Sequence, residues 1–173
     1  MPTPLAFDTD RLTLRPHRLD DFSDSRAMWG DPAVTKYIGG RPFTEEECWQ
    51  RLLRYAGHWT LLGYGFWAVR ERGSDRFLGE VGFLDGKREL DPPFGETPEI
   101  GWALVPSAHG KGYATEAVRA ALAWGADHFG PKARTVCMIH PENLASLRVA
   151  EKAGYREYAR STYKGAPSIL FER

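Results

Sequence analysis

The sequence predicts an α/β (α+β) fold in which one mixed, mostly antiparallel sheet carries helices on both faces. Three observations predict this class. Strand-forming runs recur along the whole chain, amphipathic segments with the ~3.6-residue helical period lie between them, and glycine- or proline-rich breakers separate the two kinds. The chain has 173 residues and shows no repeat, linker or low-complexity segment. We therefore expect one domain over residues 1–173, with a core over about residues 9–173.

The composition limits the classes of partner and compartment. The 23 basic and 23 acidic residues cancel, so no global attraction to nucleic acid or to a membrane is expected. Two cysteines, Cys48 and Cys137, are too few for a disulfide framework and favour a reducing compartment. The N-terminus lacks the pattern of a signal peptide, and no apolar stretch approaches the roughly 20 residues that span a bilayer. We expect a cytoplasmic protein.

The N-terminal part of the chain predicts one strand and two main helices. Leucines alternate with polar residues over residues 11–15, as in a strand. Residues 20–29 predict a helix, from an acidic start to the Gly-Asp-Pro breaker that follows. Thr44 and Glu47 have the spacing of a capping box. They therefore begin a longer helix, which Gly-Tyr-Gly at residues 63–65 ends.

A hairpin and a long loop follow. Residues 66–70 and 77–84 have strand character, and Gly-Ser-Asp at residues 73–75 forms the turn between them. Residues 85–98 are polar and proline-rich, which predicts a loop. The loop carboxylates could attract a cationic molecule or simply form a solvated face; they are Asp85, Glu89, Asp91 and Glu96.

The chain is organised around residues 99–117, which predict a strand, a glycine turn and the start of a helix. Pro106 ends the strand because proline lacks the ladder donor. From Ala114 the hydrophobic period becomes helical. The first N–H groups of a helix have no partner within the helix, and glycines before them let the backbone close around an anion. We interpret residues 109–115 as a phosphate cradle.

Other readings of this turn stay open. A nucleoside-triphosphate loop needs a Ser or Thr directly after the lysine, but Gly112 follows Lys111. A dinucleotide fingerprint needs a third glycine where Thr115 stands. A plain glycine-rich turn between a strand and a helix is as good an account of the turn alone.

Four further elements complete the chain. Residues 134–140 alternate as a strand would, and Asn143 is placed to cap a short helix over residues 144–153. Residues 155–162 and 168–172 predict two closing strands.

The cradle also carries a family resemblance. Residues 109–117 read His-Gly-Lys-Gly-Tyr-Ala-Thr-Glu-Ala, which resembles the coenzyme A pyrophosphate loop of the GNAT superfamily of N-acetyltransferases. Gly112 and Ala114 match the small positions of that loop, while His109 replaces its usual Gln or Arg.

Two further blocks extend the resemblance. Residues 141–146 (Pro-Glu-Asn-Leu-Ala-Ser) and 151–155 (Glu-Lys-Ala-Gly-Tyr) are similar to the family's Asn-x-x-Ser/Ala segment and its Glu-Lys-x-Gly-Phe ending. Residues 9–16 (Thr-Asp-Arg-Leu-Thr-Leu-Arg-Pro) resemble the opening strand of the ribosomal-protein-acetylating, Rim-like branch. The three blocks have the family's order and spacing over nearly the whole chain.

The resemblance implies a fold, a donor and a binding site. The strands at residues 99–105 and 134–140 would splay apart, and the pantetheine arm of acetyl-CoA would enter the gap. Coenzyme A would be the product. The cofactor-binding residues carried over are Leu104, Val105, His109, Gly110, Lys111, Gly112, Tyr113, Ala114, Thr115, Asn143 and Ser146. His109 either contacts a phosphate or holds the loop open, and Asn143 contacts the pantetheine, caps the helix, or does both.

The expected chemistry needs a base and a proton for the departing thiolate. Glu99 is the candidate general base, with a surface carboxylate as the alternative and Glu80 as a rival on the neighbouring strand. The resemblance places Ser146 close to the sulfur or to the pyrophosphate arm. Relatives often place a proton-donating tyrosine where this chain has Ala150, so Ser146, water or Tyr113 would substitute. No Cys/His cluster has metal spacing, so no metal is assigned.

The sequence thus predicts an acetyl-CoA-dependent N-acetyltransferase that uses direct transfer in a ternary complex. The partner would be a small-molecule or peptide amine, with no nucleic acid or membrane, and the protein a monomer or homodimer. The acceptor pocket could draw on several aromatic residues that could equally be core: Trp29, Tyr37, Phe66, Trp67 and Trp102. A non-catalytic acyl-CoA-binding or regulatory module is the alternative, and a nucleotide-binding protein is a third reading.

Overall fold

A computed structural model describes residues 5–173 of the chain. It contains eight strands and five α-helices within those residues. In chain order these are β1 (Phe7–Asp8), β2 (Leu12–Pro16), α1 (Phe22–Trp29), α2 (Pro32–Thr35), α3 (Glu45–Leu62), β3 (Phe66–Glu71), β4 (Phe77–Leu84), β5 (Glu99–Leu104), α4 (Tyr113–Phe129), β6 (Val136–Ile139), α5 (Leu144–Lys152), β7 (Arg156–Tyr163) and β8 (Ala166–Glu172).

The strands form one sheet in the order β1-β2-β3-β4-β5-β6-β8-β7. Every neighbouring pair is antiparallel except β5 and β6, which are parallel. The antiparallel pair β4–β5 is in register over its whole length, from Gly79 opposite Leu104 to Leu84 opposite Glu99. The predicted mixed, mostly antiparallel sheet is confirmed.

Alternation along the strands divides the core between two faces of the sheet. On one face, Val81, Phe83 and Ile100 pack with Ala117 and Ala121 of α4, whose small side chains allow the helix to lie close. On the other face, Ala68 and Ala103 pack with Met28 and Trp29 of α1 and with Cys48 of α3. The predicted helices on both faces are therefore present.

Local sequence signals fix most element ends. Thr44 Oγ1 accepts from Glu47 N at 3.2 Å, and Glu47 Oε2 accepts from Thr44 N at 2.8 Å, so the predicted capping box begins α3. Gly63 ends this helix with a φ of +74°, in the left-handed region that favours glycine. Asn143 Oδ1 accepts from Ser146 N at 3.2 Å and caps α5.

Some elements have no clear sequence signal. Phe7–Asp8 form a two-residue strand that pairs with β2, ahead of the expected start of the core. Leu19–Asp21 and Pro106–Ala108 form one-turn 3-10 helices. The segment 85–98 is a loop, as predicted.

Candidate functional site

The parallel strands β5 and β6 part almost as soon as they meet, and this divergence is called the splay. Glu99 opposite Val136 is the one residue pair in their register within the described chain. Val105 N donates to Leu78 O at 2.9 Å, which turns the backbone groups of the odd-numbered β5 residues toward β4. The N–H and C=O groups of Trp102 and Leu104 therefore face the splay, where β6 no longer pairs with them. A gap edged by backbone groups that β6 does not pair suits an extended, amide-bearing ligand, although the C=O of Leu104 is already bonded to the His109 ring.

The chain beyond β5 forms the predicted glycine turn and helix start, and phosphate binding there stays a prediction. Gly110 and Gly112 have φ values of +73° and +79°, a region that L side chains rarely adopt. Helix α4 begins at Tyr113, directly after Gly112, so its free N–H groups open toward the turn. Lys111 is exposed, and its Nζ donates to Ser107 O at 2.9 Å. The same strand thus leads from the splay to a helix start whose free N–H groups suit an anion.

His109 is exposed, but its ring is bonded to the protein. Its Nε2 lies 2.9 Å from Leu104 O, one of the carbonyls that face the splay. Of the two roles expected for this residue, the geometry favours holding the turn against the end of β5. A phosphate contact stays a prediction.

A set of contacts that the sequence did not suggest fixes the cradle to β2. Glu116, in the first turn of α4, accepts from Thr9 Oγ1 at 2.6 Å, from Arg11 N at 3.0 Å and from Arg11 Nε at 2.6 Å. Arg11 Nη1 also donates to Lys111 O at 2.9 Å. We call Thr9, Arg11 and Glu116 the clamp. A carboxylate beside an anion site would repel the anion, and Arg11 neutralises it.

Glu99 lies at the closed end of the splay. The residue is 4% exposed, and its Oε2 accepts from Arg88 Nε at 2.5 Å. Its Oε1 accepts no hydrogen bond from any residue of the described chain. Burial raises the pKa of Glu99, while the positive charges of Arg88 and Arg54 oppose that effect. One oxygen is thus free to take a proton at a carboxyl that binds protons more tightly than usual.

The rival carboxylate, Glu80, is fully occupied by protein donors. It accepts from Ser25 Oγ at 2.7 Å, from Trp29 Nε1 at 3.0 Å and from Tyr55 OH at 2.8 Å, and His17 Nε2 lies 3.2 Å away. The residue is 0% exposed. Burial alone would raise the pKa of Glu80, but these partners outweigh it and lower the pKa to about 2. Such a carboxylate is a poor general base, so the geometry favours Glu99.

The candidates for protonating the thiolate differ in whether their hydroxyl groups are already bonded to the protein. Ser146 lies in the first turn of α5, and its hydroxyl bonds to no residue of the described chain. Tyr113 OH donates to Glu71 Oε1 at 2.8 Å, and this hydrogen bond raises the pKa of Tyr113. Ala150 is 0% exposed in the core. The structure therefore leaves Ser146 available and gives Tyr113 a structural partner.

The aromatic residues expected near an acceptor divide into core and site. Trp67 is 0% exposed and packs edge-on against Trp124 with ring centroids 5.0 Å apart, so it belongs to the core. Tyr37 stacks on His140 at 5.1 Å, just beyond the end of β6, and so lies beside the splay. Sequence reasoning missed Arg88 and Arg11 as partners of site residues. Arg88 lies in a loop without a motif, and the block at residues 9–16 that contains Arg11 gave no hint of a contact with Glu116, so only the fold brings these arginines to their partners.

Two structural findings bear on the broader expectations. None of the helices within residues 5–173 has the length and apolar character to cross a bilayer. Cys48 and Cys137 are both buried and unpaired, in separate clusters on opposite faces of the sheet.

Comparisons with known proteins identify the class to which this fold and site belong. A family model described as an acetyltransferase (GNAT) domain matches residues 11–156. The uncharacterized N-acetyltransferase YnaD of Bacillus subtilis is 32% identical over 149 residues, which cover 86% of this chain and 81% of that protein. A solved GNAT-family acetyltransferase from Bordetella pertussis superposes with a TM-score of 0.84 at 35% identity, covering 98% of this chain and 99% of that one. The protein is an N-acetyltransferase, and its chain belongs to the GNAT acetyltransferase family.

The branch within the family is not distinguished. Ribosomal-protein acetyltransferases and a spermidine N-acetyltransferase of Vibrio cholerae share the fold at identities of 16–19%. The spermidine enzyme has a TM-score of 0.74 and covers 95% of this chain and 96% of its own. Likeness at this level shows the fold alone, so the Rim-like branch stays a prediction.

Proposed function

We propose that the protein moves the acetyl group of acetyl-CoA to a primary amine by direct transfer in a ternary complex in the cytoplasm. The donor supplies a thioester. The amine nitrogen forms the new C–N bond, the C–S bond breaks, and the coenzyme A thiolate leaves and takes up a proton. No covalent intermediate on the protein is needed, because the thioester is already activated.

The residues of the site fit this donor. The N–H groups at the start of α4 and the left-handed glycines of the cradle would hold the pyrophosphate, with Lys111 as a nearby charge. The backbone of Trp102 and Leu104 would align the pantetheine along β5. The observation that carries the proposal is that one strand, β5, joins a splay to an anion cradle. Structures of two fold neighbours hold coenzyme A and acetyl-CoA, respectively.

The reacting groups would act at the closed part of the splay. Glu99 Oε1 would take a proton from the incoming ammonium, directly or through water, and so deliver the neutral amine. Ser146 or a water molecule would return a proton to the thiolate. A thiol ionises far more readily than an alcohol, so the thiolate can leave without a strong general acid from the protein.

The second candidate function is a non-catalytic acyl-CoA-binding module. The buried Ala150 favours it, because no side chain at that position can donate a proton. This candidate predicts acetyl-CoA binding without transfer.

The experiment that separates the two is an acetyl-transfer assay with a broad panel of amines. Thiol release is followed continuously, and the acetylated product is confirmed by mass spectrometry. Amine-dependent thiol release with an acetylated product supports the proposal. Acetyl-CoA binding with no transfer to any amine of the panel contradicts it and supports the binding module.

A further inference from the structure

The face of the sheet opposite α4 carries a groove along β5. Two apolar clusters flank that strand: Tyr55, Phe66 and Leu84 on the side of α3, and a second cluster on the side of the 85–98 loop, made of Leu90, Phe94, Val136 and Leu170. Glu99 and Gly101 lie between the clusters, on the same face of β5. A Cβ on Gly101 would lie 3.0 Å from Phe66 Cζ, so the Phe66 ring packs against this glycine and only a residue without a side chain fits there.

The α3 side of the groove is basic. The guanidinium of Arg54 lies over the Tyr55 ring, 5.8 Å from its centroid. Arg51 lies over the Trp29 ring at 4.0 Å, and its Nη1 donates to Tyr55 OH at 3.1 Å. Tyr55 in turn stacks on Phe66 with ring centroids 4.6 Å apart. The stack therefore carries two positive charges to the edge of the groove.

The opposite side is basic too. Arg88 binds Glu99 and lies over the Tyr163 ring at 4.9 Å, and Lys164 Nζ lies 5.5 Å from the same ring. We call the space bounded by Arg51, Arg54, Arg88 and Lys164, with Glu99 on its floor, the basic groove.

Three of these four cations form no close ion pair with a carboxylate of the described chain, although Glu80 acts through space on Arg51, and Arg54 acts in the same way on Glu99. Within residues 5–173, no carboxylate oxygen lies within 4.0 Å of Arg51, Arg54 or Lys164. Desolvation, and then the like charges of Arg51 and Arg88, lower the pKa of Arg54. Like charges placed together without a counter-ion are unfavourable, and a bound anion would relieve them.

The acidic residues of the 85–98 loop do not cancel this charge at the groove. Asp85 and Glu96 line the cavity under that loop together with Arg88 and Glu99, but Asp85 is paired with Lys87 Nζ at 2.7 Å and Glu96 is exposed. Glu89 and Asp91 line a separate open groove with Arg160. No contact in the described chain shows that the loop carboxylates attract a cationic acceptor, so that expectation stays a prediction.

We propose that the basic groove binds a carboxylate of the acceptor, so that the substrate is a primary amine that also carries a carboxylate, such as an amino acid. This inference rests on the proposed acetyl transfer. Arg54 is the principal contact, because its planar fork matches a carboxylate and its only partner in the described chain is the Tyr55 side chain, not a carboxylate. The amine then faces Glu99, and the negative charge of the acceptor faces the arginines.

The test compares acceptors that differ only at the carboxylate: free amino acids against their α-carboxamides, with spermidine as a cationic reference. The carboxamide lowers the basicity of the amine and so raises the fraction of neutral, nucleophilic amine. This chemical advantage favours the amides, so a preference for the free amino acids is the more informative result. We expect the free amino acids to have a kcat/KM at least tenfold above their amides and above spermidine.

Substitution of Arg54 locates the effect. Arg54→Gln is expected to lower kcat/KM for carboxylate acceptors about ten- to a hundredfold through the acceptor KM, the range that one charge-assisted hydrogen bond supplies. The KM for acetyl-CoA stays unchanged, and amide acceptors lose much less than carboxylate acceptors, since for them only the pKa of Glu99 shifts when the Arg54 charge is removed. Arg54→Lys keeps the charge and restores part of the loss. Gln50→Ala, an exposed change on the same helix, is the control and has no effect.

Each remaining outcome overturns the inference. If amides or spermidine are acetylated as efficiently as amino acids, the acceptor needs no carboxylate. The proposed acetyl transfer would still stand. An equal loss for both acceptor types in Arg54→Gln would make Arg54 merely structural. Thiol release with no amine at all would overturn the proposed function and this inference together.

Discussion

At Glu99, burial and an ion pair act on one carboxyl in opposite directions, and burial is the larger effect. Replacing this residue by glutamine keeps an oxygen for Arg88 but removes the group that titrates. We expect Glu99→Gln to lower kcat about 10²- to 10⁴-fold, the range of general base catalysis. The acidic limb of the kcat–pH profile should disappear with it.

The control for that prediction is Glu89→Gln, because Glu89 is exposed and lies on the adjoining loop. Steady-state rates between pH 5 and 9 are the measurement. An unchanged rate and profile in Glu99→Gln would remove Glu99 from the chemistry.

Glu80 makes a prediction about stability rather than rate. Against the effect of burial, buried donors and the neighbouring His17 lower the pKa of Glu80 in the folded protein from the usual 4.5 of a glutamate to about 2. The folded state therefore gains stability from this ion above the usual pKa and loses it as the pH falls from 4.5 toward 2. At about 1.4 kcal/mol per pKa unit, the contribution to the free energy of unfolding at neutral pH is roughly 3 kcal/mol.

Glu80→Gln should remove that contribution and leave a mismatched amide among buried donors. Denaturant unfolding at several pH values measures it. The free energy of unfolding of the variant should lie a few kcal/mol below that of the wild type at pH 7, and the gap should narrow below pH 4. A gap that is constant with pH would show that Glu80 is not an ion in the folded state.

At the scale of elements, the clamp ties β2 to the first turn of α4, more than a hundred residues later in the chain. The cradle has its shape before a ligand arrives, because Arg11 holds both Glu116 and Lys111 O. Arg11→Met should therefore raise the KM for acetyl-CoA about tenfold, the value of one charge-assisted contact, while kcat changes less than twofold.

Initial rates at varied acetyl-CoA and saturating acceptor measure this split. Arg156→Met is the matched control, since Arg156 is an exposed arginine on edge strand β7. A fall in kcat with an unchanged KM would show that the clamp serves the chemistry and not the cradle.

Elements were predicted well from the sequence wherever their signals are local. The capping box at Thr44 and Glu47, the turn at residues 73–75 and the Asn143 cap each depend on residues within four positions of one another. The strand β4 has the predicted bounds, Phe77–Leu84. The glycine turn at residues 109–115 was also predicted, because its glycines and the helix that follows are adjacent in the sequence.

The site was predicted only in part, because its partners are distant in the sequence. The hydrogen-bond donors of Glu80 come from His17 just after β2, from α1 and from α3. The sequence around Glu80 contains no signal for them. Arg88 reaches Glu99 from an irregular loop with no periodicity. The residues of the basic groove come from α3, from the 85–98 loop and from the β7–β8 turn, and only the fold brings these segments to the two sides of β5.

At the scale of the whole molecule, donor binding should stabilise the fold, since the cradle and splay join β2, β5, β6, α4 and α5. A ligand at a hundred times its Kd adds about 2.7 kcal/mol to the free energy of unfolding. For a chain of this size, roughly 2–4 °C per kcal/mol gives a rise in Tm of about 5–10 °C. Thermal unfolding with acetyl-CoA measures it, and equal shifts with ATP or NAD would contradict a site specific for coenzyme A.

The most direct test of the account is isothermal titration of the protein with acetyl-CoA, with ATP and NAD as controls. The splay and the cradle predict one site with a Kd near the micromolar range, on the order of −8 kcal/mol, and much weaker binding of either control. Absence of acetyl-CoA binding would contradict the central claim and would leave residues 109–115 as a turn between a strand and a helix.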